Sequence, residues 1–264
     1  MPSLEILLAK QRKEVAKAGV FPEDAGLAPQ TFIMPEGKDR PSWRHFGRRW
    51  KLEKHRWTIR GKDLAMTLAY RWWIMRPRPR LRLHTISAAA ASLHRDMYQH
   101  FARGDLSPVD KQLCDGIRNV LRTRLAQRPP HVAVRWELQQ HLRSPRLMSF
   151  KVAKFPSMDG DSVKGDPENQ NGFVQAVVRI HSRQRLWHVR SVSGGREGKK
   201  QTPREVRVDS RGRALVSPAD IEQDDARGIK ETIEYFVIQK NVRKSQEGPW
   251  KVWGTTQPSR LDEN

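Results

Sequence analysis

Cysteine is almost absent: Cys114 is the single one, which excludes a disulfide framework and any cysteine-based zinc cluster. Its position beside Leu113, near the apolar face of a helix, makes a buried small hydrophobe its expected role. Acidic residues are scarce beside basic ones, 29 against 50, leaving a formal net charge of +21. That is several times the roughly 2–8 that keeps a small domain soluble. Such an excess calls for a polyanionic partner, either nucleic acid or an anionic membrane surface. Long apolar runs are missing as well. The nearest, Leu64 to Met75, is interrupted by Arg71 and falls short of the ~18 residues a span needs. The chain is therefore expected not to cross a bilayer. With 37% hydrophobic residues it can build one core, but not from its whole length.

Catalytic signatures are missing too. Gly194-Gly195-Arg196-Glu197-Gly198-Lys199-Lys200 resembles a phosphate loop, but its spacing is one short and Lys200 stands where Ser or Thr is required. No His-Glu-x-x-His or Gly-x-Ser-x-Gly occurs. His94 and His100 fall on different faces of one helix, so they make poor joint metal ligands. Asp159, Asp161 and Asp166 lack the calcium-loop pattern. No cofactor, metal or small-molecule substrate is expected, and no enzymatic activity.

What is present begins with two consecutive amphipathic helices over Thr85–Gln127. Ile86, Ala90, Leu93, Met97 and Phe101 recur at helical spacing in the first. Thr85 suits its start, and Gly104 its positive-φ end. Leu113, Ile117, Leu121 and Leu125 make the stripe of the second, with Ser107 as N-cap and Pro108 at its first position. The period then changes to two. Val132, Val134, Trp136 and Leu138 alternate, as do Met148, Phe150 and Val152. After a polar loop over Pro156–Gly172, strands are predicted at Phe173–Trp187, Ile229–Val242 and Trp250–Trp253. Ser193–Gly228 reads as a Gly- and charge-rich insertion with a small hairpin about Ser210-Arg211-Gly212. Helices followed by strands predict an α+β fold, with helices packed in a curved antiparallel sheet.

Upstream of the helix pair lies the most charged stretch. Between Arg48 and Arg82 twelve basic residues (Arg48, Arg49, Lys51, Lys54, Arg56, Arg60, Lys62, Arg71, Arg76, Arg78, Arg80, Arg82) face only Glu53 and Asp63. Trp43, Trp50, Trp57, Trp72 and Trp73 are interleaved. Trp50, Trp57, Leu64 and Leu68 share one helical face, with Gly61 a possible break. Three uses compete: rings stacking on unpaired RNA bases beside arginine–phosphate contacts, a helix lying in an anionic membrane interface, or a stripe that packs on the domain while the charges stay solvated. Arg183 and Arg185, at the end of the long strand, join the anionic-surface candidates. Before this stretch, Val20–Arg44 is rich in proline yet apolar, as suits an extended segment lying in a groove of its own domain or a partner's. Ser3–Ala18 reads as a short basic helix; Glu5 and Glu14 argue against a targeting peptide. The organisation expected is thus an N-terminal helix and extended segment (1–41), a basic Trp-rich helical arm (42–82), an α+β domain (83–256, with the 193–228 insertion) and a tail (257–264).

Four motifs resemble a known family. They are Tyr98-x-x-Phe101-x-x-Gly104-Asp105-Leu106-Ser107, Val177-Val178-Arg179-Ile180-His181-Ser182-Arg183-Gln184, Glu234-Tyr235-Phe236-Val237-Ile238-Gln239 and Trp250-Lys251-Val252-Trp253-Gly254. Together they resemble the Tim-forty-four-like domain, shared by the peripheral subunit of the mitochondrial presequence translocase and by a mitochondrial large-subunit ribosomal protein. Phe21-Pro22-Glu23-Asp24 and Phe32-Ile33-Met34-Pro35 look more like the ribosomal branch, which in fungi includes the matrix-side ribosome receptor of the inner membrane. The resemblance implies a cone-like fold of the nuclear-transport-factor-two type. It implies contacts with mitochondrial large-subunit rRNA and neighbouring ribosomal proteins near the peptide exit. It also implies tethering to the inner-membrane surface and its insertion machinery. A translocase adaptor without ribosome contact is the alternative.

Overall fold

The computed structural model describes residues 24, 26–35, 41, 43–74, 83–129, 133–154, 172–192, 204–209, 213–215, 217–243 and 246–259. The expected helix at Ser3–Ala18, the Arg76–Arg82 connector, most of the Pro156–Gly172 loop, the turn Ser210-Arg211-Gly212 and the last residues of the tail lie outside them.

The chain is α+β. Helices α1 (Phe46–Ala69), α2 (Leu83–Arg103), α3 (Asp115–Ala126) and α4 (Pro218–Gly228) accompany a six-stranded sheet. Its strands are β1 (Ala133–Lys154), β2 (Gly172–Val192), β3 (Arg204–Val208), β4 (Ile229–Arg243), β5 (Gln246–Glu247) and β6 (Lys251–Thr256). All pair antiparallel: β2 lies between β1 and β4, β3 joins the far end of β2, and β5 and β6 pair with β4.

The helix pair packs on one face of the sheet, as its stripe predicts. Ile86, Ala90 and Met97 of α2 meet Ala176, Val178 and Ile180 of β2 and Phe236 and Ile238 of β4. Gly104 takes φ +82° after α2, and Asp105 N–H reaches back to His100 O at 3.2 Å, closing the helix with a left-handed cap. The second helix is shorter than its stripe. Ser107–Gln112 is a 3-10 turn, Leu113 is extended and bridges Val252, and α3 starts only at Asp115. Ser107 is not the N-cap; instead Asp105 Oδ1 accepts the Ser107 N–H at 3.0 Å. Leu113 and Cys114 remain buried, and the Cys114 N–H bonds Val252 O at 2.9 Å. A backbone bond to β6 therefore wins over helix continuation.

The two expected strands around Trp136 and Phe150 are one strand, bent by register shifts. Pro145 falls where a bulge opens between Arg143 and Arg146 on an edge strand, a position where no ladder N–H is needed. The stretch read as an insertion contributes structure as well: β3 extends the sheet beyond β2, and α4 precedes β4.

The opposite face of the sheet is covered by the chain's own N-terminal segment. Ile33 is buried with Val177, Tyr235 and Val237. Gln175 accepts the Ala28 N–H at 2.7 Å and donates to Gly26 O at 2.9 Å, and Ile33 and Ser259 exchange two bonds of 3.0 Å. Asp24 accepts Trp253 Nε1–H at 2.5 Å. Asp24 also sits so close to α3 that a Cβ at Gly116 would collide with its carboxylate. Of the two grooves allowed for this segment, the structure shows its own.

Candidate functional site

Helix α1 runs unbroken through Gly61 and ends in a π-helical turn, Tyr70–Ile74. Three- and four-residue spacings give it two apolar faces. Leu52 and Ile59 form the inner one, packed against Phe32 and Met34 of the N-terminal segment. Tyr70 fastens the end: it is buried against Val174 and Val242, and its hydroxyl donates to Glu247 at 2.8 Å. Burial first, then the Glu247 carboxylate, push the phenol's pKa well above its ordinary range. Asp63 pairs with Lys151 of β1 at 2.5 Å.

The other face carries the larger side chains and points to solvent. Phe46 and Trp50 are each 62% exposed, Trp57 68%, Leu64 61% and Leu68 47%. Phe46 and Trp50 stack with ring centroids 6.3 Å apart. The tryptophan stripe thus does not pack on the domain; the narrower Leu52/Ile59 face does. Helical spacing sets Lys54 along one border of the stripe and Arg49 and Arg60 along the other, with Lys51 and Lys62 further round the helix. Arg48 and Lys51 are exposed, whereas Arg56 pairs with Glu53 at 3.0 Å. Trp72 is 49% exposed in the π-helical turn, and Trp73 lies in the same turn. The result is an apolar ridge flanked by cations, the pattern of a helix that lies in a charged interface.

The remaining predicted site residues do not join it. Arg76, Arg78, Arg80 and Arg82 lie outside the described residues. Arg183 on β2 pairs with Glu231 at 2.5 Å. Arg185 pairs with Asp225 and lies 5.0 Å over the Trp187 ring. Arg207 shares Asp225, so at this end of the sheet three arginines are paired with two carboxylates. Residues passed over by the sequence reading are Phe46, which extends the ridge, and Arg143 and Arg146 on β1. Phe46 was legible as the position four before Trp50. The arginines were not, because a bulge places them.

The helix-packed side of the sheet holds a buried polar cluster. Glu234 accepts from Tyr98 Oη at 2.6 Å, His94 Nε2 at 2.7 Å and Gln184 Nε2 at 2.9 Å. Burial raises the Glu234 pKa, but these hydrogen bonds outweigh it and hold the carboxyl below its usual range. His94 is ringed by Tyr98, Trp136 and Phe236, and Met97, one turn on, is buried. Among the described residues no three His, Cys, Asp or Glu side chains converge as a metal site, and no helix is long and apolar enough to cross a membrane.

A helix-backed antiparallel sheet with a basic, apolar-ridged helix on its flank defines an α+β domain with a candidate docking helix. The family profile described as MBA1-like protein matches residues 67–206, more than half of the chain, from the end of α1 into β3. The chain belongs to this family, which is associated with the mitochondrion. It is also similar to an uncharacterized protein of Schizosaccharomyces pombe, 25% identical over 158 residues, covering 59% of this chain and 48% of the relative. The chain thus spans about half the length of the curated relative it matches. Most of the α1 ridge precedes the family match.

Proposed function

We propose that the chain is a non-enzymatic tether that holds the large subunit of the mitochondrial ribosome against the matrix side of the inner membrane. It would do so through contacts with rRNA and neighbouring proteins near the peptide exit. The outward ridge Phe46-Trp50-Trp57-Leu64-Leu68, bordered by lysine and arginine, carries this reading. Aromatic and aliphatic side chains would sit at the acyl boundary while the cations meet anionic headgroups. Membership of the MBA1-like family supports the mitochondrial setting. The helix-packed face of the sheet is occupied by the hydrophobic core, which supports binding through the outer surfaces.

Vesicle flotation tests the membrane arm. Trp50→Glu with Trp57→Glu is expected to lower partitioning onto phosphatidylglycerol-containing vesicles at least about tenfold. Because both rings are mostly exposed, the melting temperature should stay within about 2 °C. Unchanged partitioning would refute membrane docking by α1. Sedimentation with large subunits tests the ribosome arm: cofractionation should weaken steeply with salt, with a log–log slope of about −0.7 to −0.9 per phosphate contacted. Protein that stays at the top of the gradient at low salt would favour the translocase-adaptor alternative.

A further inference from the structure

Between α1, the N-terminal segment and β1 lies a cleft of about 400 Å³. Four guanidinium groups line it: Arg56 and Arg60 from α1, and Arg143 and Arg146 from β1. Residues three apart on a regular strand face opposite ways, so the bulge between Arg143 and Arg146 is what brings both to one cleft. Arg56 is held by Glu53, and the one carboxylate lining the cleft, Asp63, by Lys151. The guanidinium groups of Arg60, Arg143 and Arg146 make no ion pair or hydrogen bond among the described residues. Their crowding is felt: burial, then Arg56 and Arg146, lower the Arg60 pKa against the opposing pull of Glu53.

A second observation points into the same space. Ser149, also lining the cleft, is 7% exposed, and its Oγ has no hydrogen-bond partner. Buried hydroxyls without partners are uncommon because each forfeits its hydration. Like charges gathered round an unsatisfied hydroxyl are the complement of a phosphate. The rest of the lining is apolar: Phe32, Met34, Ile59 and Met148. Phe32 is buried, with its ring edge-on to His55 at 5.1 Å, so it offers no platform for a nucleic-acid base. An anion with carbon next to it fits this wall better than a bare ion or a polynucleotide. The outward ridge of the same helix would hold the cleft at a bilayer surface.

We propose that this cleft binds the phosphodiester headgroup of an anionic glycerophospholipid. Arg60, Arg143 and Arg146 take the phosphate oxygens, Ser149 Oγ–H donates a further bond, and the glycerol and first acyl carbons lie against Met34, Ile59 and Met148. The proposal rests on membrane docking by α1, and it turns that docking from a general attraction into recognition of one lipid at a time.

The test is calorimetric titration of the full chain with dihexanoyl-phosphatidylglycerol below its micellar concentration, beside inorganic phosphate and an oligouridylate. The short-chain lipid is expected to bind one-to-one, at least about tenfold tighter than inorganic phosphate. Ser149→Ala should weaken it about tenfold while leaving the unliganded protein at least as heat-stable, since the deleted hydroxyl had no partner. Arg143→Gln with Arg146→Gln should weaken it further. Absence of saturable lipid binding, equal affinity for inorganic phosphate, indifference to these substitutions, or tighter and competitive binding of the oligouridylate would each overturn the proposal. Trp50→Glu with Trp57→Glu separates the two claims. Abolished vesicle binding with retained short-chain lipid binding supports both. Retained vesicle binding overturns docking by the ridge, while lipid binding that still depends on Ser149 supports the cleft.

Discussion

At Glu234 a carboxylate 140 positions from His94 and 136 from Tyr98 becomes the acceptor for both. An ionised carboxylate only accepts, so Nε2 of His94 carries the hydrogen. The cluster ties α2 to β4, and Gln184 extends it to Trp136 Nε1–H at 3.0 Å, hence to β1. Since the folded pKa of Glu234 is depressed, its contribution is fully present above the unfolded carboxyl pKa and is lost as pH falls through the folded value. Glu234→Gln is therefore expected to destabilise the domain at neutral pH by about 2–3 kcal/mol and to shrink the loss of stability below pH ~4.5. Chemical denaturation of both proteins over a pH series measures this. An equal acid limb in the variant would move the effect elsewhere. The residues of this cluster were readable only in part: Tyr98 and Glu234 stand in the recognised motifs, but nothing local pairs them.

Helix α1 shows how one element can be read correctly in periodicity and still leave its orientation open. Trp50, Trp57, Leu64 and Leu68 form the more hydrophobic stripe, and a lone amphipathic helix would bury it. Leu52 and Ile59 are buried instead because Phe32 and Met34 lie across the sheet where α1 passes. Leu52→Ala is accordingly expected to cost about 2–4 kcal/mol, read by denaturant melts, while Trp57→Ala should cost under about 0.5 kcal/mol. The N-terminal segment is the intermediary. Gln175→Leu would remove both side-chain bonds to residues 26 and 28, and hydrogen exchange at Ala28 should accelerate about tenfold or more. Unaltered exchange there would mean that the segment's other contacts, Ile33 with Ser259 and Asp24 with Trp253, suffice to hold it. Proline content and hydrophobicity announced a groove-bound strip; its role beneath α1 was not legible, since it depends on a surface assembled from β1, β2 and β4.

Over the whole molecule the excess of +21 charges is not uniform in its availability. At the β2–β3–α4 end Arg183, Arg185 and Arg207 are answered by Glu231 and Asp225. Along α1, Arg48, Lys51 and Lys54 are exposed, with few acids near them. Polyanion binding should follow availability rather than count. Replacing Arg48, Lys51 and Lys54 with glutamine is expected to reduce the salt slope of binding to a polyanion by about one for each phosphate no longer neutralised. Replacing Arg183 and Arg185 should change it by less than about one. Fluorescence titrations over a salt series decide, and the reverse order would place the binding face at the far end of the sheet.

Local order along the chain sufficed for the α+β class, the stripe and glycine cap of α2, the alternating strands, the polyanion-seeking charge and the tryptophan-bearing stripe of α1. Each of these is a short-range pattern set by spacing, backbone freedom or composition. Tertiary structure alone decided the break at Leu113, where a bond to Val252 replaced a helical turn. It alone decided which face of α1 turns outward, and it gathered Arg60, Arg143, Arg146 and Ser149 around one cleft. Those outcomes depend on matching surfaces from segments far apart in the chain, and on a bulge at Pro145 that changes where two arginines point. No window of sequence contains that information, because the competing burial and hydrogen-bond energies exist only once the sheet is formed.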